Sequence, residues 1–155
     1  MIHYITNLLA PSALNTLRNT VIFFTLMFTQ LFPQTCFADF SVIVHPSNIS
    51  ELSPKDIQRV FLRKLKSFPN GVAAKPIDLP IKSEIRQAFG LKLLKRNEQK
   101  IRSFWARQIF TGKGIPPKEL STEEIVKKFV ANNKGAIGYI NTKSIDQTVK
   151  SIYIF

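Results

Sequence analysis

Residues Lys75 to Phe89, KPIDLPIKSEIRQAF, change period in mid-course. Ile77 and Leu79 fall on one side of a two-residue alternation, and Pro80 stops strand pairing after them. Ser83 then occupies an N-cap position, ahead of Ile85, Ala88 and Phe89 at helical spacing. A strand turning directly into a capped helix calls for α/β packing. It also has a chemical consequence, because the first N–H groups of a helix lack internal partners and carry roughly half a positive charge. Lys82 and Arg86 flank that end. A small oxyanion such as phosphate could accept hydrogen bonds there from the Ser83 hydroxyl and the amides of Glu84 and Ile85, with Lys82 and Arg86 supplying charge. The plainer reading is that Ser83 only caps the helix.

The remainder of the chain fits the same architecture. Phe40 to His45 reads as a strand covered on both faces. Ser53-Pro54 opens a helix, with Ile57, Val60, Phe61 and Leu65 on its buried stripe and Lys55, Arg59, Arg63 and Lys66 outside. Pro69-Asn70-Gly71 is a turn, and Val72 to Leu79 a strand that Pro76 places near a sheet edge. The Ser83 helix is expected to run to about Lys95, with Gly90 permitting a bend or a close helix contact. Glu98 to Phe110 forms the next helix, with Ile101, Phe104, Trp105 and Ile109 facing the core. Thr111-Gly112-Lys113-Gly114 lacks the spacing of a P-loop and reads as a helix end, followed by extended Pro116-Pro117. Ser121 and Glu124 are spaced as a capping box for a helix with Ile125, Val126, Phe129 and Val130 on its apolar face. Ala136 to Ile140 is a short buried strand in which Gly138 allows close approach, and Thr148 to Phe155 is the last strand. The order β-α-β-α-α-α-β-β implies one α/β domain, a mixed sheet flanked by helices.

Residues 1–38 have the layout of a cleavable secretory signal peptide. Arg18 is their only charged residue, Val21 to Phe32 is a short apolar run, and Cys36 and Ala38 place small residues at the −3 and −1 positions. The run is too short for a membrane span, and Gln34-Thr35 argues against a lipoprotein anchor at Cys36. Cleavage after Ala38 would leave a soluble periplasmic domain, residues 39–155. That domain has no cysteine, so neither disulfides nor thiol chemistry can serve it.

Removing Arg18 leaves 21 Lys and Arg against 10 Asp and Glu, a net charge of +11. The cations are dispersed along helices rather than gathered into an arginine-rich arm. For an exported protein they point to small oxyanions, anionic headgroups or acidic partners rather than nucleic acid. His45 is the one histidine of the domain, without a second histidine or a carboxylate cluster to form a metal site or a triad. Neither an enzyme nor a cofactor is expected.

Several stretches resemble, in order, the second lobe of phosphate-binding proteins of ABC transporters. They are Leu52-Ser53 with Asp56-Ile57, Val60-Phe61-Leu62, Phe68-Pro69-Asn70-Gly71, Ser83-x-x-Arg86-x-x-Phe89, Phe104-Trp105, Phe110 to Gly114, and Gly135 to Ile140. The likeness is greatest to short exported PstS-like proteins and covers Phe40 to Phe155. It implies a single lobe of a type II periplasmic-binding fold. In full-length members two lobes close on the oxyanion, held by an Arg, an Asp and a Ser-Gly-Thr triplet. Here only Ser83 matches the triplet, with Glu84 and Ile85 in place of Gly and Thr. Leu79 and Ile81 replace the Arg and the Asp, and Arg63 stands where the family has Gly. Half a cleft leaves its ligand wet, and Glu84 repels an anion, so each charged contact is worth less than in a closed site.

Two functional readings follow. In the first, the protein is an exported solute-binding-like protein that takes phosphate or a similar oxyanion at the Ser83 helix start for an ABC-type uptake system. In the second, it is a protein-interaction module that keeps the fold without the ligand, as a homodimer or docked on a membrane partner.

Overall fold

The computed structural model describes residues 39–155, so the expected signal peptide lies outside the described residues. Five strands form one mixed sheet: β1 (Phe40–Val44), β2 (Lys75–Asp78), β3 (Lys118–Glu119), β4 (Ala136–Asn141) and β5 (Lys150–Ile154), in the order β3-β2-β4-β1-β5. β1 pairs antiparallel with β4 and β5, whereas β2 runs parallel to both β4 and β3. Four α-helices, α1 (Pro54–Phe61), α2 (Glu84–Lys92), α3 (Glu98–Phe110) and α4 (Glu123–Ala131), and a 3-10 turn at Thr142–Ser144 complete the described fold. This is the expected mixed α/β architecture, with the two-residue β3 added.

β1 is buried along its whole length, as its continuous apolar run requires. β4 is buried too, and its alternation divides the core. At Gly138 a Cβ would come within 2.6 Å of the Val126 side chain, so the absent side chain is what lets α4 lie close on that face. The next residue, Tyr139, points to the opposite face. Its ring stacks on Phe89 of α2 with centroids 4.2 Å apart, and lies 5.8 Å from the Phe61 ring of α1. Helices therefore cover both faces of the sheet.

Pro76 lies in β2 one strand from the edge. β2 meets β4 through Lys75 and Pro76, but meets β3 only through Ile77 and Asp78. A residue without an N–H is thereby kept off the β3 ladder. The strand expected from Val72 begins only at Lys75, because Ala73 pairs instead with Ser67 across the Pro69-Asn70-Gly71 turn. At that turn Gly71 adopts φ +81°, a left-handed conformation.

The remaining differences from expectation are local. α2 stops at Lys92, and Lys95 takes a positive φ of 55°. Gly90 does mark a close contact, since a Cβ there would sit 3.0 Å from the Arg96 carbonyl and 3.1 Å from Ile101 Cδ1. α4 is capped by Thr122 rather than Ser121, its side chain accepting from the Ile125 amide at 3.3 Å. Glu123, the first residue of α4, accepts from the Asn141 amide at the end of β4 (2.6 Å). Arg63 has φ +56°, a left-handed conformation that favours glycine. It is half-buried rather than outside, and donates to the Ala74 carbonyl at 3.2 Å.

Candidate functional site

β2, β3 and β4 run parallel, so their C-terminal ends share one edge of the sheet. Two helices start there, α2 after β2 and α4 after β3. In open α/β sheets this edge is where ligands bind. At the start of α2, the Ser83 amide donates to the Pro80 carbonyl at 2.8 Å, closing a tight turn. The Ser83 hydroxyl accepts from the Arg86 amide at 3.5 Å, a long cap bond. Among the described residues the amides of Glu84 and Ile85 take no partner outside the helix, as the first two positions of a helix require. Lys82 and Glu84 are exposed, Ser83 is half-buried and the Ile85 side chain is buried.

Arg86 has partners within the fold that the sequence reading did not include. Helical side chains lean toward the N-terminus. That lean carries the Arg86 guanidinium across the end of β2 and into a ring of carboxylates. It lies 2.9 Å from Glu119, 3.3 Å from Glu98 and 3.5 Å from Asp78, and it also donates to the Leu79 carbonyl. Asp78 in turn accepts from the Tyr139 hydroxyl and, at 3.0 Å, from the Leu79 amide. One cation thus joins β2, β3, α2 and α3, and Tyr139 links the group to β4.

The electrostatics follow from burial. Desolvation raises the Asp78 carboxyl above its ordinary value, although Arg86 and the Tyr139 hydrogen bond pull it down. Burial, and then the Asp78 carboxylate, push the Tyr139 phenol well above its usual range. Burial works against the Arg86 charge, but Asp78 and Glu98 outweigh it and hold the guanidinium above its usual value. Three carboxylates surround the one guanidinium, so the charge of Arg86 is engaged within the fold. Of the expected cradle, the structure brings together Ser83, the amides of Glu84 and Ile85, and the exposed Lys82.

Asp78, Glu98, Glu119 and Tyr139 were not singled out from the sequence. Asp78 gives the one local signal, a carboxylate between Ile77 and Leu79 at the end of a buried strand. The Thr111-Gly112-Lys113-Gly114 segment closes α3 as expected, with Gly112 at φ +64° and the Gly112 amide donating to Ile109. His45 is held by Ser47, its Nδ1 lying 2.8 Å from the Ser47 hydroxyl. Among the described residues no group of His, Cys, Asp and Glu is arranged to hold a metal ion, and no helix is long and apolar enough to cross a membrane.

No family model matches the chain, and no curated protein matches it in sequence. Solved structures do match in fold. An ABC-type phosphate transport receptor from Vibrio cholerae superposes with a TM-score of 0.57 at 16% identity, over 74% of this chain and 46% of the receptor. A phosphate ABC transporter substrate-binding protein with bound phosphate from Clostridium perfringens gives 0.59 at 18%, over 74% and 45%. PstS from Borrelia burgdorferi gives 0.53 at 13%, over 76% and 48%. The chain spans less than half the length of each of these proteins. Residues 39–155 therefore have the periplasmic-binding-protein fold of the PstS-type phosphate receptors, over a length consistent with a single lobe.

Proposed function

We propose that this is an exported solute-binding-like protein, not an enzyme, that takes phosphate or a similar small oxyanion at the start of α2 and works with an ABC-type permease. One observation carries the reading. The unpartnered amides of Glu84 and Ile85 stand beside Ser83 and exposed Lys82 at the strand-end edge, in a fold shared with phosphate receptors. The amides and the Ser83 hydroxyl would donate to the anion, and Lys82 would supply the charge. Arg86 serves as the strut that ties α2 to β2, β3 and α3. Export follows from the layout of residues 1–38.

The affinity should be low. An exposed charge pair contributes about 1 kcal/mol or less, and Glu84 and Glu119 stand close to the same edge. Calorimetry at low salt on residues 39–155 is expected to show phosphate binding in the millimolar range, lost in Lys82→Ala and Ser83→Ala and kept in Lys134→Ala. An absence of heat at millimolar phosphate, or binding indifferent to both substitutions, overturns the reading.

The carboxylate ring favours a second reading, that of an interaction module keeping the fold without its ligand. Asp78, Glu98 and Glu119 all converge on the one guanidinium at this edge, and the domain spans half of a two-lobed protein. On this reading light scattering gives the mass of a dimer, or of a complex with a membrane partner. A strict monomer that binds phosphate supports the first reading.

A further inference from the structure

The outward face of α3 is strongly basic and exposed. From residue 95 to residue 113 the chain carries six cations: Lys95, Arg96, Lys100, Arg102, Arg107 and Lys113. Its one acid there, Glu98, is turned toward Arg86. Ile101, Phe104 and Trp105 are buried. At 100° per residue, Ser103, Ala106 and Phe110 then fall on the side opposite the core. Lys100 and Arg107 border that uncharged line on one side, and Arg102 on the other.

The apolar groups of this face are gathered at one end of the helix. Phe110 is 93% exposed, and Ile109 and Ile115, close to it in sequence, are 56% and 69% exposed. Five of the six cations precede Phe110 along the chain, and Lys113 lies between Phe110 and Ile115. Arg96, Lys100 and Arg107, with Ser103, line an open groove of about 480 Å³. Arg96 is steadied there by the Phe104 ring, 5.3 Å from its centroid. An apolar tip behind a band of cations, with no free carboxylate on the face, has the order of groups met on crossing from an anionic headgroup layer toward acyl chains.

We propose that the α3 face docks on a bilayer surface rich in anionic phospholipid. Lys100, Arg102 and Arg107 pair with lipid phosphates, and Phe110, with Ile109 and Ile115, enters the headgroup boundary. Residues 39–155 contain the whole described core and suit the test, since they lack the apolar run of residues 21–32. Flotation is run with vesicles of phosphatidylcholine alone and with a third of the lipid replaced by phosphatidylglycerol, at low and high salt.

The expected result is binding to the anionic vesicles only, lost at high salt. Lys100→Gln with Arg107→Gln should weaken it by about 25-fold, at about fivefold for each cation near a membrane surface. The control pair Lys64→Gln and Lys66→Gln removes the same charge from exposed sites elsewhere and should have little effect. Phe110→Ala should also weaken binding, and the fluorescence of a Phe110→Trp variant should shift to the blue with anionic vesicles. Failure to float with anionic vesicles, equal loss in the control pair, or a Phe110→Trp signal that moves with an acidic protein but not with vesicles overturns the proposal.

Discussion

Arg86→Met is expected to lower stability by about 3 kcal/mol, because it leaves the largely shielded carboxylates of Asp78 and Glu98 facing one another without their cation. The Arg86 side chain is 11% exposed, and those of Asp78 and Glu98 are 16% and 23% exposed. Asp78 is the most costly to leave alone, since burial already raises its carboxyl. In a domain of this size the loss is a fall in melting temperature of more than about 10 °C. Asp78→Asn in the Arg86→Met background should recover part of it, as an amide still accepts from Tyr139 and Leu79 without carrying charge.

The pH dependence has a definite sign. A carboxyl whose folded pKa lies above its unfolded value holds its proton more tightly in the folded state, so its favourable contribution is lost as pH rises through the folded pKa. Removing Arg86 takes away the largest influence lowering the Asp78 pKa. The gap in melting temperature between the protein and Arg86→Met should therefore narrow as pH falls from neutral toward the ordinary carboxylate value of 3.8. Calorimetric scans at several pH values check this. A gap of less than about 1 kcal/mol at neutral pH, the value of an exposed pair, would mean that the guanidinium is not the strut described.

The same residue shows where sequence was sufficient and where it was not. Helix starts at Ser53 and Ser83, the turn at Gly71 and the close approach at Gly138 were legible because each depends on a few neighbouring residues. The partners of Arg86 were not. Glu98 and Glu119 lie 12 and 33 positions along the chain, and periodicity does not reveal which helix or strand end will face the guanidinium. A cation beside a helix N-terminus reads locally as an anion donor, but the tertiary fold commits its charge to carboxylates. β3 was missed because two residues after Pro116-Pro117 have no period to detect. Thr122 and Ser121 differ as caps by one position, and the contact of Glu123 with Asn141 on β4 beside them is one that local spacing does not reveal. The outward turn of Ile109 and the exposure of Phe110 likewise depend on how α3 is rotated against the core, which a stripe of apolar residues fixes only to within a position.

Phe89→Ala should be at least as damaging as loss of Arg86, by about 3–5 kcal/mol, but through packing and with little dependence on pH. Phe89 is 2% exposed, and its ring contacts three others: Tyr139 stacked at 4.2 Å, Phe61 at 4.5 Å and Phe155 at 5.5 Å. Those partners come from β4, α1 and the C-terminal end, so the ring joins elements far apart in sequence. Truncation removes the transfer free energy of the ring and leaves a cavity that the Tyr139 hydroxyl, tied to Asp78, cannot turn to fill. Phe89→Leu fills part of the space and should cost markedly less. Phe89 also sets the depth at which α2 lies on the sheet, and so where the amides of Glu84 and Ile85 emerge at the strand-end edge. If phosphate binds there, Phe89→Leu should weaken it even at temperatures where the variant stays folded, while Lys82→Ala should weaken it without changing the melting temperature. Chemical denaturation and calorimetric titration on the same samples separate the two effects, and a Phe89→Ala variant as stable as the parent would show that α2 is held on the sheet by contacts other than this ring.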